Sequence, residues 1–124
     1  MTQVLVVDDE RPIREVLAEL LSLEGFSVMT AADGMEALAA ARRQSPDAVV
    51  LDLMMPRMDG LAFLHAFREA PEFALIPVVI VSAMVRELER AQHLAQARML
   101  KPFDFDELLR TVHCLVGPEP SGVA

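Results

Sequence analysis

The sequence predicts an α/β domain built on a doubly wound parallel sheet with helices on both faces. Three observations carry this. Val4–Val7, Ala48–Leu51 and Val78–Val81 are continuous apolar runs, as strands covered on both faces are. Segments of helical periodicity alternate with such runs, the pattern of repeated β-α units. Each run also ends in a polar residue: Asp8-Asp9, Asp52 and Ser82, and the shorter run Met99-Leu100 ends in Lys101-Pro102. Ligands of open parallel sheets sit outside the carboxyl ends of the strands, so these groups should converge on one edge.

The elements follow in order. After Asp8-Asp9-Glu10, Pro12 suits the first turn of a helix. Ile13, Val16, Leu17, Leu20 and Leu21 recur at helical spacing, and Gly25 is a plausible stop. Phe26–Thr30 alternates like a strand. Asp33-Gly34 opens a second helix through Ala37, Leu38 and Ala41, closed by Ser45-Pro46. Residues 54–60 read as a loop. A third helix carries Leu61, Leu64 and Phe67 and ends near Pro71. Pro77 begins the strand ending at Ser82. The segment from Val85 to Ala95 reads as a helix with a thin apolar stripe of Leu88 and Leu94, hence loosely held. Asp104 caps a last helix, with Glu107 three residues on as in a capping box. Leu108, Leu109, Val112 and Leu115 supply its buried face. Residues 1–117 form the domain, and 118–124 read as a flexible tail or linker remnant.

At 124 residues the chain is one domain's worth, and 53% hydrophobic residues without Trp or Tyr imply an aliphatic core. The formal charge of −8 argues against direct nucleic-acid binding, which needs a basic footprint. Cys114 is the only cysteine and reads as a packed thiol in a reducing compartment. No signal-like leader and no apolar stretch of about 20 residues is seen, so the expectation is a cytoplasmic protein without membrane association.

Each candidate site residue has a plain reading beside its functional one. Asp8 and Asp9 can cap a helix and offset its dipole. They can also bind Mg²⁺, which takes oxygen ligands and is usually held by one or two carboxylates plus phosphate oxygens. Asp52 alone could turn a loop. Beside Asp8 and Asp9 it forms a set of carboxylates that repel unless a cation sits among them. A carboxylate there can be a nucleophile toward phosphorus. Ser82 could merely form a turn and Lys101 could be solvated. Near Asp52, a hydroxyl and an ammonium can bind the oxygens of a transferring phosphoryl group. Pro102 allows a cis peptide bond, which spacing alone does not predict. His65, His93 and His113 lack ligand spacing, the Met54-Met55-Met58 run reads as packing, and Glu87, Glu89 and Arg90 read as a solvated face.

Together Val7-Asp8-Asp9-Glu10, Asp52-Leu53-Met54-Met55-Pro56 with Met58-Asp59-Gly60, Ser82-Ala83 and Lys101-Pro102-Phe103 resemble the response-regulator receiver domains of two-component signalling, the CheY-like family. The resemblance runs from Val4 to about Val116. It implies a flavodoxin-like, five-stranded parallel sheet in the order 2-1-3-4-5. It implies that Asp52 accepts a phosphoryl group from a sensor histidine kinase or phosphotransfer protein. Asp9 and Asp52 would ligate Mg²⁺ through side chains and Met54 through its backbone carbonyl, with Asp8 acting through a metal-bound water; Mn²⁺ could replace Mg²⁺. Ser82 and Lys101 would contact the phosphoryl oxygens. The domain would then catalyse its own phosphorylation and slow dephosphorylation without being a turnover enzyme. Its target would be a downstream protein or output domain, with a phosphorylation-dependent homodimer as an option on the face of the fourth helix, last strand and last helix.

Two positions depart from the family pattern. Arg98 stands where an aromatic residue usually follows the hydroxyl residue on activation, and Leu94-Ala95 stands where a Gly-Ala pair is frequent. Arg98 is therefore read as acting through charge, by pairing with an acidic group here or on a partner, against the plain reading of a solvated side chain. Two rival functions are weaker. A phosphohydrolase of the haloacid dehalogenase type would carry Asp two residues after its nucleophile, and Met54 stands there. A phosphate-independent interaction module would not need the full set of site residues. The chain fits either a single-domain regulator or a fragment ending in its linker.

Overall fold

The computed structural model describes residues 2–55 and 59–117. The strands are β1 (Gln3–Val7), β2 (Ser27–Ala31), β3 (Ala48–Asp52), β4 (Val78–Ser82) and β5 (Ala97–Leu100). The helices are α1 (Arg11–Leu23), α2 (Gly34–Arg43), α3 (Gly60–Glu69), α4 (Val85–Ala91) and α5 (Phe105–Val116). The five strands pair in parallel in the order β2-β1-β3-β4-β5, as the resemblance implied.

Strand alternation explains why the runs are apolar throughout. Leu5, Val7, Val49, Leu51, Val78 and Ile80 pack with residues of α2, α3 and α4 into one buried cluster. Val4, Val6, Val50, Val79 and Val81 face the other way, against Leu17 and Leu21 of α1 and Leu108 and Val112 of α5. Phe63 and Phe67 stack at 5.1 Å and Phe67 and Phe73 at 4.7 Å between ring centroids. Phe63 and Phe73 belong to the core without having been singled out in the sequence.

Several local readings shift. Val16 is 53% exposed, because one residue before Leu17 is a step of about 100° off the face centred on Leu17 and Leu21. Cys114 is exposed rather than packed. It follows Val112 by two residues, about 200° around α5 from the buried face. The segment read as a helix to Ala95 is α4 up to Ala91 and then a 3₁₀ turn, Gln92–Leu94. Another 3₁₀ turn, Pro71–Phe73, follows α3. Asp104 caps α5 by accepting from the Asp106 amide at 3.0 Å. Gly25 ends α1 with φ of 98°, a conformation glycine adopts without cost. The tail 118–124 and the Pro56–Met58 part of the predicted loop lie outside the described residues.

Arg68, near the end of α3, closes the fold at the amino ends of β4 and β5. Its Nε donates to the Leu94 carbonyl at 2.8 Å, and its Nη1 to the carbonyls of Ile76 at 2.7 Å and of Phe73 and Ala74 at 3.2 Å. Nη2 donates to Gln96 Oε1 at 2.8 Å, which also accepts from the Val78 amide at 2.7 Å. One guanidinium thereby ties together α3, the strand entry of β4 and the turn between α4 and β5. Five donors in a fixed fork suit that task.

Candidate functional site

Register brings the strand ends level. Val7 is opposite Leu51, Asp52 opposite Val81, and Ser82 opposite Leu100. Asp8, Asp52, Ser82 and Lys101 therefore meet at one edge of the sheet. Asp8, Asp52 and Ser82 are buried.

The same local device recurs at three strand ends. Asp8 Oδ1 accepts from the Glu10 amide at 2.8 Å, Asp52 Oδ1 from the Met54 amide at 3.0 Å, and Ser82 Oγ from the Met84 amide at 3.0 Å. Side chains of Asp and Ser turn the chain this way by bonding two residues ahead. Each bend leads from its strand into the loop that follows. The second carboxylate oxygen of each aspartate is left facing inward. Lys101 Nζ lies 3.3 Å from Asp52 Oδ2 and 3.7 Å from Asp8 Oδ2. The Lys101 amide donates to the Ser82 carbonyl at 2.8 Å, which holds the start of that loop against β4. The Lys101–Pro102 bond is cis.

Charge is unbalanced at this edge. Burial pushes the Asp52 carboxyl above its ordinary range; the Met54 amide and Lys101 oppose this, Asp8 adds to it, and the net direction is upward. Burial alone would lower Lys101, but the attractions of Asp52, Asp8 and Glu10 outweigh it and hold the ammonium above its usual range. One ammonium thus serves two buried carboxylates. Asp9 and Glu10 are exposed beside them, and ligand oxygens of Asp8, Asp9 and Glu10 lie within 4.8 Å of one another. An all-oxygen, excess-negative set fits a hard divalent cation.

The remaining sequence candidates lie around this centre. Met54 contributes its amide to Asp52, and its side chain is about half exposed. Arg98 is not part of the cluster. It sits on β5 opposite Ile80, exposed, and donates to Gln92 Oε1. Its partner among the described residues is a neutral amide.

Two residues at the site escaped the sequence reading. Gly60 was placed in the loop, yet it is the first residue of α3. Its amide donates to the Leu53 carbonyl at 3.0 Å. A Cβ there would sit 2.4 Å from Leu53 Cα and 2.6 Å from the Asp52 carbonyl oxygen, so only glycine lets the helix approach the end of β3. Asp59 caps the same helix by accepting from the Ala62 amide at 2.8 Å. The Asp-Gly pair was the available signal, and it marks a helix start as readily as a turn. Arg14 is the second: its Nη1 donates to the Asp8 carbonyl at 2.8 Å.

Known proteins share this sequence pattern and fold. The family described as response regulator receiver domain matches residues 4–113. The chain is 40% identical over 117 residues to the response regulator MprA of Mycobacterium leprae, covering 92% of this chain and 50% of that protein. It is 40% identical over 116 residues to the probable transcriptional regulatory protein TcrX of Mycobacterium tuberculosis, covering 91% and 49%. The chain thus spans about half the length of these curated relatives. Among solved structures, the chemotaxis protein CheY4 of Vibrio cholerae superposes with a TM-score of 0.86 at 32% identity, covering 93% of this chain and 98% of that one. The response regulator TrrA of Thermotoga maritima, solved in complex with Mg²⁺-BeF, gives 0.84 at 34% identity, covering 93% and 99%. With the strand order and the family match in agreement, the chain belongs to the response-regulator receiver domains.

Proposed function

We propose that Asp52 accepts a phosphoryl group from a phosphohistidine of a sensor histidine kinase or phosphotransfer protein. The observation that carries this is the Lys101 ammonium lying within 4 Å of both Asp52 Oδ2 and Asp8 Oδ2 at the sheet edge, with Ser82 at the end of the next strand. A carboxylate oxygen of Asp52 forms the new O–P bond, the N–P bond of the donor breaks, and its electron pair returns to the imidazole nitrogen. Lys101 neutralises charge on the phosphoryl oxygens, and the Ser82 hydroxyl donates to one of them. Asp8, Asp9, Asp52 and the Met54 carbonyl are the groups to hold Mg²⁺ or Mn²⁺, which supplies further charge neutralisation when bound. The product is an aspartyl phosphate that the same site slowly hydrolyses, so the domain is a phosphoacceptor and not a turnover enzyme.

The signal leaves through Ser82. Its Oγ accepts from Met84, the residue just before α4. Rotating that hydroxyl onto a phosphoryl oxygen releases the Met84 amide and re-sets the entry to α4, biasing two conformations. The face of α4, β5 and α5 then addresses a partner, an output domain or a second copy. Residues 1–117 act as the unit, in the cytoplasm, with no helix among the described residues long and apolar enough to cross a membrane.

The test is incubation with Mg²⁺ and a small acyl phosphate, read by intact mass. Wild type gains one phosphoryl group and Asp52→Asn gains none. An unmodified wild type, or an equally modified variant, overturns the proposal.

A further inference from the structure

We propose that Arg14 is a positioning residue for the cation site, acting through the backbone of Asp8. The inference rests on the reading that Asp8 and Asp9 hold a divalent ion. Three of the four polar handles of Asp8 are hydrogen-bonded, and the fourth, Oδ2, faces the Lys101 ammonium at 3.7 Å. The Asp8 amide donates to the Ala31 carbonyl at 3.1 Å, extending the β1–β2 ladder by one residue. Its Oδ1 accepts from the Glu10 amide at 2.8 Å. Its carbonyl accepts from Arg14 Nη1 at 2.8 Å. The first two bonds are made by backbone donors, which only proline would remove. Arg14 is the one side-chain donor among these three bonds.

The third bond matters most for Asp9. A peptide unit is planar, so fixing the Asp8 carbonyl fixes the Asp9 amide and the direction in which the chain leaves. Asp9 is exposed, and its carboxylate comes within 4.8 Å of those of Asp8 and Glu10. Holding the plane keeps like charges together without an ion present. That is preorganisation, which lowers the ordering cost when the ion binds.

Arg14 also stands where a cation is disfavoured by the helix alone. It lies in the first turns of α1, near the positive end of the dipole, and α1 has no acidic residue in its first turn. Neighbouring Arg11 pairs with Glu15 at 2.9 Å in solvent, whereas Arg14 turns back to the strand end.

Two roles give opposite signs. A guanidinium acting only as a nearby positive charge repels a dication, so its removal tightens Mg²⁺ binding. A guanidinium that positions the turn strengthens binding, so its removal weakens it. Groups that orient metal ligands from behind are worth about 10–100-fold in affinity.

The experiment is titration of the unphosphorylated protein with Mg²⁺ alone, followed by backbone amide NMR shifts, together with metal-free melting curves. Arg14→Met should weaken Mg²⁺ binding by about tenfold. Arg14→Lys, which keeps a charge and a donor, should recover part of the loss. Tighter or unchanged binding in Arg14→Met overturns the inference, as does a lower metal-free melting temperature with unchanged affinity. Should Arg14→Met fail to fold, Arg14→Lys alone decides: weaker binding than wild type supports the inference, and wild-type affinity overturns it. Wild type that binds no Mg²⁺ is a different result, and removes the cation-site reading itself.

Discussion

Two cations are partly buried at opposite ends of this sheet, and they are held in different ways. Lys101, at the carboxyl edge, sits between two carboxylates. Arg68, at the amino edge, is surrounded by four backbone carbonyls and one amide oxygen. Burial works against both ions. At Lys101 the carboxylates more than compensate, and its ammonium is held above the ordinary range. At Arg68 no neighbouring charge compensates, and burial leaves the guanidinium below its ordinary range. The lesson is about what chemistry can reach. Converting Asp52 to an acyl phosphate changes the charge around Lys101 at once. No such reaction alters the dipoles around Arg68. One end can respond while the other stays anchored.

The largest effect should come from breaking the anchor. Arg68→Met leaves several part-buried carbonyls without their donor and should cost about 3–4 kcal/mol in chemical denaturation. Because the carbonyls do not titrate and arginine stays protonated, that loss should be flat between about pH 5 and 9. A loss that tracks a carboxylate titration would undo the contrast with Lys101.

At the other end, Lys101→Met should cost about 2 kcal/mol at pH 7, since two carboxylates lose their shared donor. The raised folded-state value of Lys101 means its contribution is complete below pH 10.5 and is lost as pH rises through the folded value. Wild type and variant should therefore converge in strongly alkaline solution. Added Mg²⁺ should narrow the gap at pH 7 by stabilising the variant's unpaired carboxylates, to an extent set by its concentration over Kd.

A smaller change of opposite sign is expected at the acceptor. The Asp52 carboxyl is raised from 3.8, so folding disfavours its charged form relative to the unfolded chain. Its contribution is present below pH 3.8 and is lost as pH rises through the folded value. Asp52→Asn mimics the neutral form and should stabilise the metal-free protein by about 1 kcal/mol at pH 7, an ordinary single-site effect. The gain should vanish on acidification. A destabilised Asp52→Asn would mean that the ion pair with Lys101 outweighs burial and the Asp8 repulsion.

These contrasts also mark what the sequence could convey. The sheet was legible because both of its faces are covered, which makes β1, β3 and β4 continuously apolar. The site was legible because parallel strands deliver their terminal residues to one edge, so Asp8, Asp52, Ser82 and Lys101 could be grouped across the chain. The anchor was not. Arg68 in α3 reads as one more solvated helix residue, and its acceptors are main-chain oxygens that carry no residue signature. Arg14 was hidden for the same reason. Val16 and Cys114 show a further limit. Periodicity says that a helix has an apolar face but not where its centre lies, and one or two steps of about 100° decide exposure. Arg98 shows its charge in the sequence, whereas a neutral acceptor such as Gln92 carries no comparable signal.

The contact at Gly60 has a mechanical consequence. Where other elements meet only through side chains that can re-pack, the first residue of α3 also meets the Asp52–Leu53 main chain directly. At Gly60 no side chain lies between them. A displacement of the Asp52–Leu53 backbone is handed directly to the start of α3, so a label near the amino end of that helix should register events at the carboxylate as promptly as one on α4.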